Sequence, residues 1–573
     1  MKTSSFSIRV RFIFVGILIF AALLIVKLYF LQIVKGSDFS EKADRQYVNV
    51  SRSLFDRGNI FFTTKNGSLV SAATLKTTYI LSINPKLINN QEDVYKKLSE
   101  FITIDAATFY SKAAKKDDPY EEILKRIPED IIKKIEPLKI SGVIIEKERW
   151  RYYPGNAISS RLIGFVGYNG DSLEGRYGLE KYYDDVLKRN PEDLYVNVFA
   201  EIFSNISKTF SSNREREGDV ITSIEPEVQG FADKKAEEIN KQWSSSLTGI
   251  IIIDPKTGEI YSMGNSPTFN LNDFSKEKDL GVFSNPSISN SYEIGSVMKA
   301  ITMTSGIDSG AISAKSTWTD YGFVNLDGKK ITNVDKNPRG PSTMQDILSH
   351  SMNTGTTYVM QKMGKAKLAE YLEKFGIGVE TGIDLPNEVA GNINNLKSPR
   401  DLEYATASFG QGISLTPINA TRAFSVIANG GKLITPHVVK KINYKVGLSK
   451  NISYTNEARQ IVSKESTEDV TRMLVEVVDK ALIGGKYKQE HYSVAAKTGT
   501  AQMARPANEG GGYYSDKFLH TFFGYFPAYN PRFLVFLYTI DPKNIDFGSQ
   551  TLSDPFFDIV KFLINYYQIP PDR

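Results

Sequence analysis

Ser296-Val297-Met298-Lys299 sets a hydroxyl and an amine three residues apart, immediately after Tyr292-Glu293-Ile294-Gly295. A glycine followed by apolar residues at Val297, Ala300 and Ile301 predicts a helix that starts at Ser296, and residues three apart share one helical face within contact distance. A serine nucleophile needs this arrangement, because its hydroxyl must give up a proton to a neighbouring base as it attacks. Lysine is a base only when neutral. Burial, the positive end of a helix and a second cation nearby would each lower its pKa toward that state.

Two further patterns follow in order. Ser351-Met352-Asn353 falls in a break between helical segments 344–349 and 354–363, and Lys497-Thr498-Gly499-Thr500 lies inside the small, β-tolerant stretch 493–501 before a C-terminal hairpin. The same patterns recur at Ser275 with Lys278, Ser82 with Asn84, Ser211 with Asn213, and Lys256-Thr257-Gly258. Context separates them. Ser275 and Lys278 sit in a charged, loop-like stretch, 273–279, that reads as solvated surface, and Lys256-Thr257-Gly258 follows Asp254-Pro255 at a turn and precedes the serine.

The elements that must hold these residues are legible in outline. Strand 219–223, a helical segment through Trp243, the buried run 249–253 and, after an Asp-Pro-Lys-Thr-Gly turn, strand 259–263 open a domain at Gly218. Strands 521–526 and 533–540 and a closing helix 555–567 end it. Strands at both ends of a helical middle predict an α+β domain with one mainly antiparallel sheet flanked by helices. Residues 35–217 read as a separate, mixed module. In it Arg57-Gly58-Asn59 leads into a strand, an Asn66-Gly67 turn and a second strand. Residues 92–138 carry two helical stripes (Val94, Leu98, Phe101; Ile131, Ile132, Ile135), 142–153 is strand-like and 181–187 is a short helix. No reactive set stands in this module.

Ahead of it, the largely apolar run 12–34, whose one charged residue is Lys27, is long enough to span a bilayer, which takes roughly 20 residues. Lys2, Arg9 and Arg11 precede it and stay in the cytoplasm by the positive-inside rule. Val34-Lys35-Gly36-Ser37-Asp38 offers no small-x-small cleavage site, so the run reads as an uncleaved anchor rather than a signal peptide. The expected layout is a cytoplasmic tail 1–11, a single transmembrane helix 12–34, a non-catalytic module 35–217 and a catalytic domain 218–573, the last two outside the cell membrane.

Ser-x-x-Lys, Ser-x-Asn and Lys-Thr-Gly in this order form the set shared by β-lactamases and penicillin-binding proteins, and the chain resembles a class B penicillin-binding protein. Further landmarks carry the resemblance: Arg57-Gly58-Asn59-Ile60, Tyr177-Gly178-Leu179-Glu180, Gly382-Ile383-Asp384-Leu385-Pro386, Gly410-Gln411-Gly412 and Phe523-Gly524-Tyr525. Three positions depart from the family pattern: Ile294 in place of proline, Met352 inside Ser-x-Asn, and Ala496 in place of glycine before Lys-Thr-Gly.

The resemblance implies an elongated pedestal (dimerisation-type) domain, then a β-lactamase/transpeptidase-like domain acting as a D,D-transpeptidase on nascent peptidoglycan stem peptides, with β-lactams as inhibitors. It implies Ser296 as nucleophile, Lys299 as its base, Ser351 as proton relay to the leaving nitrogen and Asn353 on the substrate backbone. Lys497, Thr498 and Thr500 would hold the terminal carboxylate, the N–H groups of Ser296 and Thr500 the oxyanion, and Gly499 would let the substrate chain run close to the strand. A SEDS-type membrane glycosyltransferase and other divisome or elongasome proteins are the implied partners, because no glycosyltransferase domain fits between residues 35 and 217. The compact length after Phe533 favours the septal over the side-wall branch.

Composition bounds the alternatives. With 573 residues, 41% hydrophobic and 24% charged, the chain is neither disordered nor a polytopic membrane protein. A net charge of +5 without blocks of one sign gives nucleic acid no electrostatic footprint. The absence of cysteine removes disulfides and thiolate chemistry, and the four histidines never reach ligand spacing, so no metal or cofactor is expected. A β-lactamase or β-lactam sensor remains a rival, since Glu388-Val389-Ala390-Gly391-Asn392 mimics the spacing of a deacylating glutamate. A non-catalytic division scaffold, for which Lys299 would be dispensable, is the rival of another class.

Overall fold

The computed structural model describes Phe20, Lys27 and residues 55–170, 172–189, 217–445 and 447–573. The expected span 12–34 lies outside the described residues apart from Phe20 and Lys27, and among the described residues no helix is long and apolar enough to cross a membrane. The chain packs as two compact units. Residues 77–150 lie in the first; 57–76 and 151–189 pack with the C-terminal residues, through Arg573, in the second.

In the first unit, strand Glu121–Ile127 pairs with the later part of strand Leu69–Ile83, with which strand Val143–Tyr152 also pairs. Helices Gln91–Ser99, Ala106–Ala113 and Glu129–Ile135 complete it around Leu81, Ile83, Leu98, Phe109, Ile127 and Ile132. Both helical stripes read in 92–138 form. The residues between them also fold, as a helix and an edge strand that the sequence hid: Glu-Glu-Ile-Leu-Lys-Arg-Ile lacks the alternation of a half-buried strand.

In the second unit, the Asn66-Gly67 turn, with Gly67 at φ +82°, joins strand Ile60–Thr63 to Leu69–Ile83. Ile60 and Phe61 run parallel to Val220 and Ile221, and Gly218–Thr222 pairs in turn with Val439–Tyr444. Beneath this lies a buried ion cluster. Arg57 Nε and Arg151 Nε each donate to the Glu180 carboxylate at 2.6 Å, and Arg57 also reaches Asp184 at 2.8 Å. Burial alone would raise the Glu180 pKa, but the charges of Arg151 and Arg57 outweigh it and hold the carboxyl below its ordinary value.

A five-stranded antiparallel sheet carries the site, in the order Ala495–Ala504, Tyr513–Phe526, Phe533–Ile540, Leu247–Ile253, Ile260–Ser266. Alternate residues face opposite cores. Ile250, Ile252, Phe522 and Val535 share a core with helices Pro226–Trp243 and Gly548–Tyr567. Ile251, Ile253, Phe523 and Phe536 share the other with helix Pro417–Ala428, where the Phe424 and Phe523 rings stack at 3.9 Å. Helices on both faces explain the uninterrupted apolar runs Ile250-Ile251-Ile252-Ile253 and Phe533–Ile540, since neither side of those strands meets water. The closing helix was expected from Pro555; it starts at Gly548 and keeps Pro555 in its interior.

Candidate active site

Gly295–Val297 forms a 3₁₀ turn that runs directly into the serine helix, Met298–Asp308, whose first nine residues are all buried. The turn is pressed against the edge strand Ala495–Ala504. At φ +65°, Gly295 has no room for a side chain: a Cβ there would come 2.7 Å from the Thr500 carbonyl oxygen. Behind it Gly410, at φ +83°, accepts from the Gly295 N–H at 3.1 Å, and its own Cβ would meet the Gly295 oxygen at 2.2 Å. A Cβ on Gly499 would strike Thr521 Oγ1 at 2.2 Å and the Ile294 oxygen at 2.8 Å. Packing inside the protein thus already requires a glycine at 499, independently of the close approach of a substrate chain that the resemblance implies.

Ser296 is left half-buried at the start of the helix, and its Oγ has no hydrogen-bond partner among the described residues. Lys299, one turn on, is completely buried. Its Nζ donates to the Ser351 carbonyl at 2.5 Å and to Asn353 Oδ1 at 2.7 Å, and lies 3.2 Å from Ser351 Oγ. Burial, and then the charge of Lys497, push its pKa well below the ordinary lysine value. Lys497, on the edge strand, is 3% exposed and reaches the same Ser351 Oγ at 3.2 Å and the Thr498 carbonyl at 3.0 Å. Burial lowers it to about 8.

Ser351 links the two amines. It follows helix Met344–Ser349, takes φ +53° and precedes helix Asn353–Met363, a left-handed conformation that costs a non-glycine residue of order 1 kcal/mol. Met352, fully buried, anchors the turn by donating its N–H to the Ile347 oxygen at 2.9 Å. Asn353 was read as part of the break and is instead the first residue of the helix. Thr498 and Thr500 are half-buried along the edge strand. Thr500 Oγ1 accepts from the Gly548 N–H, the first of the closing helix, at 2.9 Å. Sequence reasoning missed Gly548, because nothing local relates it to a strand residue so far away.

The three departures are absorbed. Ile294 has φ −83°, near the value proline would impose. Ala496 pairs directly with Gly524, where a Cβ would come 2.8 Å from the Ala496 methyl, so the space lost at one strand is given back by its neighbour. Two of the decoys stay apart from this set: Lys256 bonds Asn530 Oδ1, and Ser275 lies in a short 3₁₀ turn, Phe274–Lys276; Ser211 and Asn213 lie outside the described residues. Glu388 spends its carboxylate on Thr381 N–H at 2.7 Å, Thr381 Oγ1 at 2.6 Å and Gly382 N–H at 3.0 Å.

A serine at a helix start, a buried amine one turn on, and a second serine and amine at a sheet edge, on a sheet with helices over both faces, define a serine acyl-transfer site of the penicillin-recognising class. The chain matches the penicillin binding protein transpeptidase domain over residues 248–560 and the penicillin-binding protein dimerisation domain over 55–222. It belongs to the penicillin-binding transpeptidases. Stage V sporulation protein D of Bacillus subtilis (strain 168) is 28% identical over 564 residues, 96% of this chain and 84% of that protein. Peptidoglycan D,D-transpeptidase FtsI of Buchnera aphidicola subsp. Schizaphis graminum is 27% identical, covering 97% of this chain and 94% of its own. Penicillin Binding Protein 2X of Streptococcus thermophilus shares the fold with a TM-score of 0.73 at 20% identity, over 90% of this chain and 81% of that one.

Proposed function

We propose that this chain is a peptidoglycan D,D-transpeptidase that cross-links stem peptides in cell-wall synthesis through an acyl-enzyme on Ser296. The observation that carries the reading is the pair of buried amines meeting at Ser351 Oγ, each at 3.2 Å, one of them a single helical turn from Ser296. Ser296 attacks the penultimate D-Ala carbonyl as Lys299 takes its proton. Ser351 passes a proton to the departing D-Ala nitrogen, and an amine from a neighbouring stem resolves the acyl-enzyme. Lys497, Thr498 and Thr500 hold the terminal carboxylate, and Asn353 offers the substrate backbone the second N–H of an amide whose first is bonded to the Thr332 carbonyl. The N–H groups of Ser296 and Thr500 receive the oxyanion, at roughly 3–4 kcal/mol per donor. β-Lactams, which carry the same carboxylate and a strained carbonyl, enter by the same route.

The remaining assignments belong to this proposal. Residues 12–34 anchor the chain in the cytoplasmic membrane with 1–11 in the cytoplasm. Residues 35–217 act as a non-catalytic pedestal and 218–573 as the extracytoplasmic enzyme. The anchor and pedestal engage a SEDS-type glycosyltransferase. The β-lactamase reading loses support because the Glu388 carboxylate is consumed in bracing its own loop. Labelling with a fluorescent penicillin, followed by mass spectrometry of the adduct, tests the core of the proposal. The adduct is expected on the peptide containing Ser296, and labelling that survives Ser296→Ala refutes it. A fluorescent fusion that gathers at the septum supports the septal branch, whereas one along the side wall assigns the chain to elongation.

A further inference from the structure

Between the serine helix and Ser351 the chain makes a small excursion. Strand Thr317–Asp320 pairs with Gly340–Thr343, and between them Phe323–Leu326 pairs with Lys329–Thr332 across an Asp327-Gly328 turn. Its tip is exposed, yet its base holds a dense buried hydrogen-bond network. Asp320 is 1% exposed. Its Oδ1 accepts from Gly322 N–H and Thr354 Oγ1, both at 3.0 Å, and its Oδ2 from Arg339 N–H at 3.1 Å and Asn333 Nδ2 at 3.2 Å. Asn333 turns its own Oδ1 to Thr354, accepting from the N–H at 3.2 Å and the hydroxyl at 2.9 Å. Three N–H donors and the Thr354 hydroxyl, whose one proton is shared with Asn333 Oδ1, satisfy a buried carboxylate that forms no ion pair among the described residues, so the group stays buried at little cost as long as the set is complete.

The neighbouring residue connects this base to the site. Asn353 Nδ2 donates to the Thr332 carbonyl at 3.1 Å, and Asn353 Oδ1 accepts from Lys299 at 2.7 Å. An amide side chain has one oxygen and one nitrogen end. With the nitrogen end committed to Thr332, the oxygen end must face the lysine; released, the amide could turn its NH₂ toward Lys299 and push the amine off its position. We propose that Asp320 and Asn333 are positioning residues for the reaction. They fix the end of strand Lys329–Thr332, so that Thr332 holds Asn353 in the one orientation that seats Lys299 beside Ser351. The proposal rests on the reading of Lys299 as the base of Ser296.

Stopped-flow acylation of the full-length protein by a fluorescent penicillin separates the binding constant K from the acylation constant k2, with burst amplitude giving the active fraction. Asp320→Asn puts an NH₂ against two donors and should lower k2 about tenfold while K changes less than about threefold. Combining Asp320→Asn with Asn333→Asp restores one amide and one carboxylate to the pair, and k2 should return to within about threefold of wild type. Thr354→Val removes the hydroxyl shared by both residues and should lower k2 in the same sense, which keeps the test open should the carboxylate variant not fold. An unchanged k2 with a lowered melting temperature would overturn the proposal, leaving the network as a helix cap alone. So would a raised K at constant k2, or a folded exchange variant that stays slow. Lys299→Ala, run alongside, tells the two readings apart: if it still acylates at the wild-type rate, the assignment of the base has failed rather than that of its positioning.

Discussion

Lys497→Ala should change the pH profile of penicillin acylation at both ends, and in opposite senses. On the proposed mechanism Lys299 must be neutral to accept the Ser296 proton, so k2/K rises as pH climbs through its depressed pKa. Lys497 must be charged to grip an anionic ligand, so k2/K falls as pH climbs through a pKa that burial brings to about 8. With that value roughly nine-tenths of Lys497 is protonated at about pH 7 and one-tenth at about pH 9, a drop of about tenfold between the two. In Lys497→Ala the alkaline limb should vanish, since its titrating group is gone. The acid limb should move to higher pH, because the Lys497 charge is one of the two causes that depress Lys299. A hydrogen bond to a charged group contributes about 1.5–3 kcal/mol, so the rate near neutrality should fall by about ten- to a hundredfold. Stopped-flow acylation across the pH range measures all three effects. A wild-type rate that stays flat through about pH 9.5, or an acid limb that moves down in the variant, would refute the reasoning.

Other outcomes follow from single contacts. Gly548→Ala places a methyl 2.3 Å from the Gly499 oxygen and should displace Thr500, cutting k2/K by about tenfold with the protein still folded; an unaffected rate would show that the closing helix does not set the strand. Glu180→Gln leaves two buried guanidiniums short of their shared counter-charge and should cost about 3–5 kcal/mol in urea unfolding, an idea that an unchanged midpoint would sink. Exchanging residues 12–34 for an unrelated apolar helix should weaken both complementation and co-purification with the membrane glycosyltransferase, and retention of both at wild-type level would reduce the segment to a tether.

The candidate site residues that the structure brings together were legible because they are written in short patterns: Ser296 and Lys299 lie one helical turn apart, and Lys497 to Thr500 lie on one strand. The sheet was legible at both ends of the domain because strands buried on two faces read as unbroken apolar runs, Ile250-Ile251-Ile252-Ile253 above all. What stayed hidden is what distant packing decides. Nothing near Gly499 announces that Thr521 and the Ile294 carbonyl leave it no room. Thr500 and Gly548 meet only after the sheet has formed, and Asp320, Asn333 and Thr332 look like ordinary loop residues until the fold brings Thr354 and Asn353 to them. The strand Glu121–Ile127 was missed for the opposite reason, a pattern too weakly alternating to stand out.

The order of strands in the sheet has a consequence for the newly made chain. Leu247–Ile253 and Ile260–Ser266 precede the serine helix, but they join the strand that bears Lys497 only through Tyr513–Phe526 and Phe533–Ile540, which follow much later in the chain. Pairing across such a separation is slow and cannot begin until the far end is available. On the proposed mechanism, a nascent polypeptide thus carries Ser296 and Lys299 long before the sheet that completes their site has formed. Chains shortened in steps from the C-terminus should take up penicillin only once they include Ile540, and uptake by a chain ending before Phe533 would show that the serine helix needs no sheet to become reactive.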